Sequence, residues 1–220
     1  MCHLMTKQAS KGTLNYYDEN AVEFAMQTAS IDMHDLYELF LNQLPQTDTQ
    51  CILDVGCGSG RDANYFAKQG YDVTAIDASA ELIQWAEQHH MSSRITWVHL
   101  DFSSIEKQAW ENKFTGIWAC ASLLHVPFLE LPFVIKSLLE TLTDDGVMYL
   151  SFKYGEGERV DEERFFCDMD ELRWKTIVAK IPHVIEYHIW LSADKRADCK
   201  DAWFNVMIKR ENNPIRSSVK

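Results

Sequence analysis

The chain has 220 residues, 46% of them hydrophobic, which is enough to bury one substantial core and predicts a single domain. Its 33 acidic and 21 basic residues leave a formal charge of -12, which opposes nonspecific attraction to nucleic acid or an anionic membrane surface. Six scattered cysteines with no C-x-x-C pair, no metal-ligand spacing and no long uncharged apolar run predict a reduced, cytoplasmic protein without a disulfide framework, a metal site or a membrane helix.

In chain order, residues 1–13 are mixed and polar and predict a loose terminus. Val22, Phe24, Met26, Leu36, Leu39 and Phe40 recur at helical spacing before the stop at Pro45. Residues 1–45 are therefore expected to form a helical lid segment of the same domain. From residue 46 to residue 210, short apolar runs alternate with longer amphipathic ones, the pattern of strands and crossover helices in a parallel sheet. Strands are predicted at 51–55, 72–76, 95–99, 116–119 and 146–152, with helices at 61–69, 80–89 and 128–142 and a turn at 143–146. The charged stretch 153–163 reads as an exposed loop, followed by a helix over 169–180. Residues 183–191 and 203–209 have no crossover helix between them and predict an antiparallel strand pair. Residues 211–220 are expected to be a flexible tail. The fold class is thus α/β: a doubly wound, mainly parallel seven-stranded sheet with a C-terminal antiparallel pair.

The stretch ILDVGCGSGRDA, residues 52–63, follows the first predicted strand and opens the next helix. A pyrophosphate-binding turn reads G-x-G-x-x-G. Here Gly56, Gly58 and Gly60 alternate with Cys57 and Ser59, and Asp54 lies inside the strand. Such a loop brings backbone close to a ligand, and the acid favours a cationic group over a phosphate.

LDVGCGSGRDA resembles the first motif of the class I methyltransferases that use S-adenosylmethionine, which implies a Rossmann-like fold and that cofactor. The resemblance assigns Asp54, Gly56, Cys57, Gly58 and Gly60 to the cofactor. It gives Asp77 at the end of the second strand, with Ala78 beside it, to the ribose hydroxyls; helix capping is the other role open to Asp77. Asp101 and Phe102 stand where the superfamily recognises adenine, as amine acceptor and ring cover. Cys120 ends the fourth strand among small residues, either as a close-packed wall beside the methionine moiety or as a nucleophile. Tyr16 and Tyr17 resemble a segment that folds over that moiety, with Tyr16 as the candidate contact.

His125 follows the fourth strand and is the candidate catalytic base, or else a packing residue. Lys153, Arg159 and Arg164, with Arg61 and Arg196, either receive an anionic acceptor or pair with neighbouring acids. The sequence over roughly residues 14–153 further resembles a bacterial small-molecule branch that includes tellurite-resistance and thiopurine-like methyltransferases. This implies a small-molecule methyl acceptor, with an anionic or soft nucleophile favoured. An RNA or transfer-RNA methyltransferase and a non-catalytic S-adenosylmethionine-binding module are the alternatives. The sequence carries no signal of oligomeric state.

Overall fold

In the computed structural model, which describes residues 2–48, 50–181, 186–196, 199 and 201–210, helices cover both faces of one large sheet. Three helices come first: α1 (Cys2–Glu19), α2 (Ala21–Thr28) and α3 (His34–Leu41). Then β1 (Cys51–Val55), α4 (Arg61–Lys68), β2 (Asp72–Asp77), α5 (Ala80–His89), β3 (Ile95–His99), β4 (Phe114–Ala119), α6 (Leu131–Thr141) and β5 (Leu142–Lys153) follow. The chain continues through β6 (Glu158–Asp161), β7 (Arg164–Cys167), α7 (Glu171–Val178), β8 (Glu186–Ala193) and β9 (Ala202–Lys209).

The large sheet has the order β3-β2-β1-β4-β5-β9-β8. Strands β1 to β5 pair in parallel, and β9 enters antiparallel between β5 and β8. The order reverses between β1 and β4, and a crevice at the carboxyl ends of the strands is expected at that switch.

Each central strand is buried on both faces. From β5, Met148, Leu150 and Phe152 join the core formed with α6 and α7, while Val147 and Tyr149 join the core formed with α3 and α4. Helix α6 presents Leu131, Val134, Ile135 and Leu138 to the first core, at the i, i+3, i+4, i+7 spacing of one helical face. In the second core, Tyr37, Phe40 and Phe66 pack around Trp118, with ring centroids 5.2 to 5.4 Å from its own.

Three parts of the chain depart from the sequence expectation. Helix α1 begins at Cys2, where a loose terminus is predicted for 1–13; Thr13 is buried and its Oγ accepts from the Phe165 N–H at 2.8 Å. The predicted loop at 153–163 is instead the start of a hairpin, β6–β7. Its turn residues Glu162 and Glu163 have φ of 47° and 68°, the left-handed pair of a two-residue hairpin turn, which is normally signalled by Asn-Gly or Asp-Gly. Buried Phe165, Phe166 and Cys167 hold it in place. At 143–146 the predicted turn is an irregular start of β5, where the β4 pairing slips between Phe114 and Gly116. The C-terminal pair forms as β8 and β9, and 182–185 and 211–220 lie outside the described residues.

Gly116 in β4 lies under α3 and the turn after it: a Cβ there would stand 2.7 Å from Phe40 Cζ and 2.9 Å from Leu44 Cδ2. Gly116→Val is expected to destabilise the protein by about 1–3 kcal/mol through overpacking, measured as a lowered urea midpoint at unchanged m-value.

Candidate active site

A cavity of about 1140 Å³ opens over the carboxyl ends of the strands, between the sheet and α1–α3. Its floor is the loop after β1. The N–H groups of Gly56 and Cys57 both donate to Ile76 O, at 2.8 and 2.9 Å, so the loop folds back over β2. Gly56, at φ 74°, sits where a Cβ would overlap Ser122 Cβ in the loop after β4. Gly60, at φ 73°, faces away from the cavity, against Trp97, His90 and Ala86. Both positions therefore require glycine, one for the β1–β4 approach and the other for packing α4 on α5 and β3.

Asp77 ties this floor to α5. Its Oδ2 accepts from the Gly58 N–H and its Oδ1 from the Ser79 N–H, each at 2.9 Å. Ser79, rather than Asp77, caps α5, accepting from the Leu82 N–H at 3.2 Å. Burial pushes the Asp77 carboxyl up, and the N–H bonds oppose that shift. Asp77 and Ala78 line the cavity, with Asp101 and Phe102 beyond them. Asp101 caps the turn at 102–107 with one oxygen, accepting from the Ser103 N–H at 2.8 Å.

Asp54 is placed differently from the expectation. It is 2% exposed, lies beneath the loop and does not line the cavity; its Oδ2 has no hydrogen-bond partner among the described residues. Burial, with Asp62 adding to it, raises its carboxyl well above the usual range. Any effect on a ligand passes through the loop above it.

On the other side of the cavity, Arg61 donates to both oxygens of Asp62, at 2.6 and 2.9 Å, and to Thr28 O at 3.3 Å. Asp62 also accepts from the Tyr37 hydroxyl and from Trp118 Nε1. Burial alone would raise this carboxyl, but Arg61 and the two other donors hold it below its ordinary value. Arg61 thus pairs with its neighbour while lining the cavity. Cys120 donates nothing to the site as a thiolate, because burial pushes its thiol up to about 12.

His125 has both ring nitrogens engaged. Nδ1 lies 2.6 Å from Phe165 O, so it must carry the proton, and Nε2, 2.8 Å from the Tyr17 hydroxyl, accepts. Burial, with Arg164 and Lys153 adding to it, lowers the imidazole to about 4, while burial raises the Tyr17 hydroxyl to about 12. The pair is therefore neutral at working pH.

Of the remaining assigned residues, Lys153 and Arg164 line the cavity, whereas Tyr16 and Arg159 do not. Tyr16 faces the Arg164 guanidinium at 4.5 Å, and it is Tyr17 that reaches the interior. Arg159 turns to Asp168 at 2.9 Å and Asp161 at 3.3 Å, because the hairpin carries it to the outer side. Lys153 pairs with Asp201 at 2.8 Å, Arg164 with Glu162 at 3.0 Å and Arg196 with Asp194 at 2.6 Å. The sequence reading did not include Trp190, Ser192, Trp203 and Asn205, which form the far wall; their alternation in β8 and β9 was visible, but not the face turned to the cavity.

Because folding lowers the His125 pKa from 6.5 to about 4, its contribution to stability is complete above pH 6.5 and is lost as pH falls towards 4. Between pH 7.5 and pH 5, wild type is expected to lose about 2 kcal/mol more than His125→Gln, read from urea midpoints at the two pH values.

Residues 52–146 match the family model described as a methyltransferase domain. An uncharacterized methyltransferase of Mycobacterium bovis is 36% identical over 90 residues, 41% of this chain and 45% of that protein. The ubiquinone biosynthesis O-methyltransferase of Haemophilus ducreyi is 33% identical over 106 residues, 46% of this chain and 44% of that protein. The chain thus spans less than half the length of these relatives. Among solved structures, the Burkholderia thailandensis 1,6-didemethyltoxoflavin-N1-methyltransferase, with 1,6-didemethyltoxoflavin and S-adenosylhomocysteine bound, superposes with a TM-score of 0.63 at 19% identity, covering 96% of this chain and 89% of that one. Residues 52–146 thus match a methyltransferase domain model, and the chain as a whole shares the fold of that solved methyltransferase.

Proposed function

We propose that the chain transfers a methyl group from S-adenosylmethionine to a small-molecule acceptor whose reacting atom is soft or already ionised. The observation that carries the nature of the acceptor is the saturation of the ionisable groups around the inner cavity. His125 Nε2 is taken by Tyr17, Asp62 by Arg61, Tyr37 and Trp118, and Asp194 by Arg196 and Trp203. Cys120 and Tyr149 are held protonated by burial. Among the described residues none of these groups beside His125 and Cys120 offers a free basic lone pair to a proton on the acceptor, so none of them would activate a neutral hydroxyl.

The residues present suit this cofactor. Asp77 keeps lone pairs for ribose hydroxyls after accepting two N–H bonds, and its buried carboxyl gains from further donors. The second oxygen of Asp101 can accept from an exocyclic amine, and the Phe102 ring covers the neighbouring space. The backbone of Gly56, Cys57 and Gly58 forms a floor with no side chain between it and the methionine portion. When bound, the cofactor supplies a methyl group on a sulfonium, with a neutral thioether as leaving group. Little remains for the protein except orientation and exclusion of water.

Exclusion falls to α1–α3, which close the cavity through Thr13, Tyr17, Phe24, Met33 and Leu36. His125 is then a positioning residue: it accepts from Tyr17 and donates to Phe165 O, fixing α1 against β7. Arg61, Lys153, Arg164 and Arg196 are each paired, so attraction of an anionic acceptor by these four requires exchange of partners. The net charge of -12 and this pairing both weigh against a nucleic-acid acceptor.

Purified protein incubated with S-adenosylmethionine and fractionated metabolites is expected to release S-adenosylhomocysteine with a small-molecule fraction and not with transfer RNA. On the acceptor so found, His125→Gln is expected to retain kcat within about threefold, and the pH profile to follow the acceptor's own ionisation. A loss of about 100-fold or more, the size general-base catalysis contributes, would restore His125 as a base. Asp77→Ala is expected to weaken S-adenosylhomocysteine binding by tenfold or more in calorimetry, with NAD giving no heat to either protein; unchanged affinity would remove the ribose assignment.

A further inference from the structure

The far wall of the cavity is built differently from the cofactor side. It is the face shared by β5, β9 and β8, where the register sets Ser151 beside Asn205 and Asn205 beside Trp190, then Lys153 beside Trp203 and Trp203 beside Ser192. In the order β1-β4-β5-β9-β8, β8 stands four strand spacings from β1, about 19 Å across the sheet. The groups suited to the cofactor end β1, β2 and β3 and lie on the opposite side of the switch point. At about 1140 Å³ the cavity exceeds the ~300–1,000 Å³ that ordinarily encloses one small ligand. The far wall is therefore left for a second molecule.

Its two tryptophans are fixed before any ligand arrives. Asn205, 1% exposed, shares its two amide hydrogens among the backbone carbonyls of Trp190 at 3.2 Å and Trp203 at 3.1 Å and Ser192 Oγ at 3.0 Å, and it accepts from the Tyr149 hydroxyl at 2.8 Å. Trp203 Nε1 donates to Asp194 at 3.0 Å. The Trp190 ring stacks on His188 at 5.6 Å and 20°, with Tyr149 at 6.0 Å. Across the cavity stand aliphatic side chains, Ile31, Met33, Leu36 and Leu39. Four cations around this compartment are matched: Lys195 with Asp35 at 3.0 Å, Arg196 with Asp194, Lys153 with Asp201 and Arg61 with Asp62. What this compartment presents is preordered ring surface on one side and aliphatic surface on the other, with its charges cancelled internally.

From this we infer that the acceptor is a flat aromatic or heteroaromatic molecule held against Trp190 and Trp203, an inference that rests on the methyltransferase reading of the same site. Aromatic pairs add attraction beyond the area they bury, and uncharged indole faces select for shape and ring character rather than for charge. The reacting atom of such a molecule points away from the two tryptophans, towards Cys120 just after β4.

The test uses protein saturated with S-adenosylhomocysteine and two neutral probes of one shape class, naphthol and its ring-saturated counterpart decahydronaphthol, titrated by calorimetry. Naphthol is expected to bind about tenfold more tightly than decahydronaphthol. Trp190→Leu is expected to weaken naphthol about tenfold and erase the discrimination, while Trp190→Phe keeps most of it and both variants bind S-adenosylhomocysteine as wild type does. Equal affinity for the two probes, a preference that survives Trp190→Leu, or no binding of naphthol overturns the inference. Failure of wild type to bind S-adenosylhomocysteine overturns the methyltransferase reading instead, and the probe pair titrated without it still decides whether the wall selects aromatic rings.

Discussion

One buried carboxylate holds together the sheet, the start of α4 and the N-terminal helices. Asp62 accepts from Arg61 beside it, from Tyr37 on α3 and from Trp118 on β4, and Arg61 continues to Thr28 O at the end of α2. A buried charge is tolerable only when such donors satisfy it, and losing one partner typically costs about 3–5 kcal/mol because the charge is left uncompensated. The network therefore fixes where α2 and α3 sit relative to the glycine loop, and with them the dimensions of the space between.

This arrangement changes what the acidity of the chain implies. Summed over the sequence, acids outnumber bases, and a row of cations near the opening reads as an attractor for anions. In the folded protein Lys153, Arg164, Lys195 and Arg196 each meet a carboxylate from a nearby turn or from α3. These pairs are mostly solvent-facing and contribute little stability. Their effect is electrostatic: the positive charge of each of these four side chains is matched by a carboxylate within 3.0 Å.

The glycine loop, the five parallel strands and the closing pair were legible in the sequence because their signals are local: a glycine spacing, apolar runs and helical periodicity. Asp77 could be placed because it follows a strand by a fixed step. Tyr16 and Tyr17 could not be told apart, since which of two adjacent residues faces inward depends on how α1 rests on β7. The β6–β7 turn was invisible because Glu162-Glu163 adopts a conformation ordinarily announced by glycine or asparagine. The far wall was hidden for a topological reason: β9 inserts between β5 and β8, so Tyr149, Asn205 and Trp190 become neighbours although up to 56 positions separate them.

The backbone of Phe165 has a mechanical consequence. Its N–H is held by Thr13, and its carbonyl by His125, which in turn holds Tyr17. Two successive turns of α1 are thereby fastened to a single rung of the hairpin. The position of α1 over the cavity is therefore set by the hairpin as well as by the sheet: these bonds, one turn apart along the helix, fix its rotation and its height against β7 at the same time.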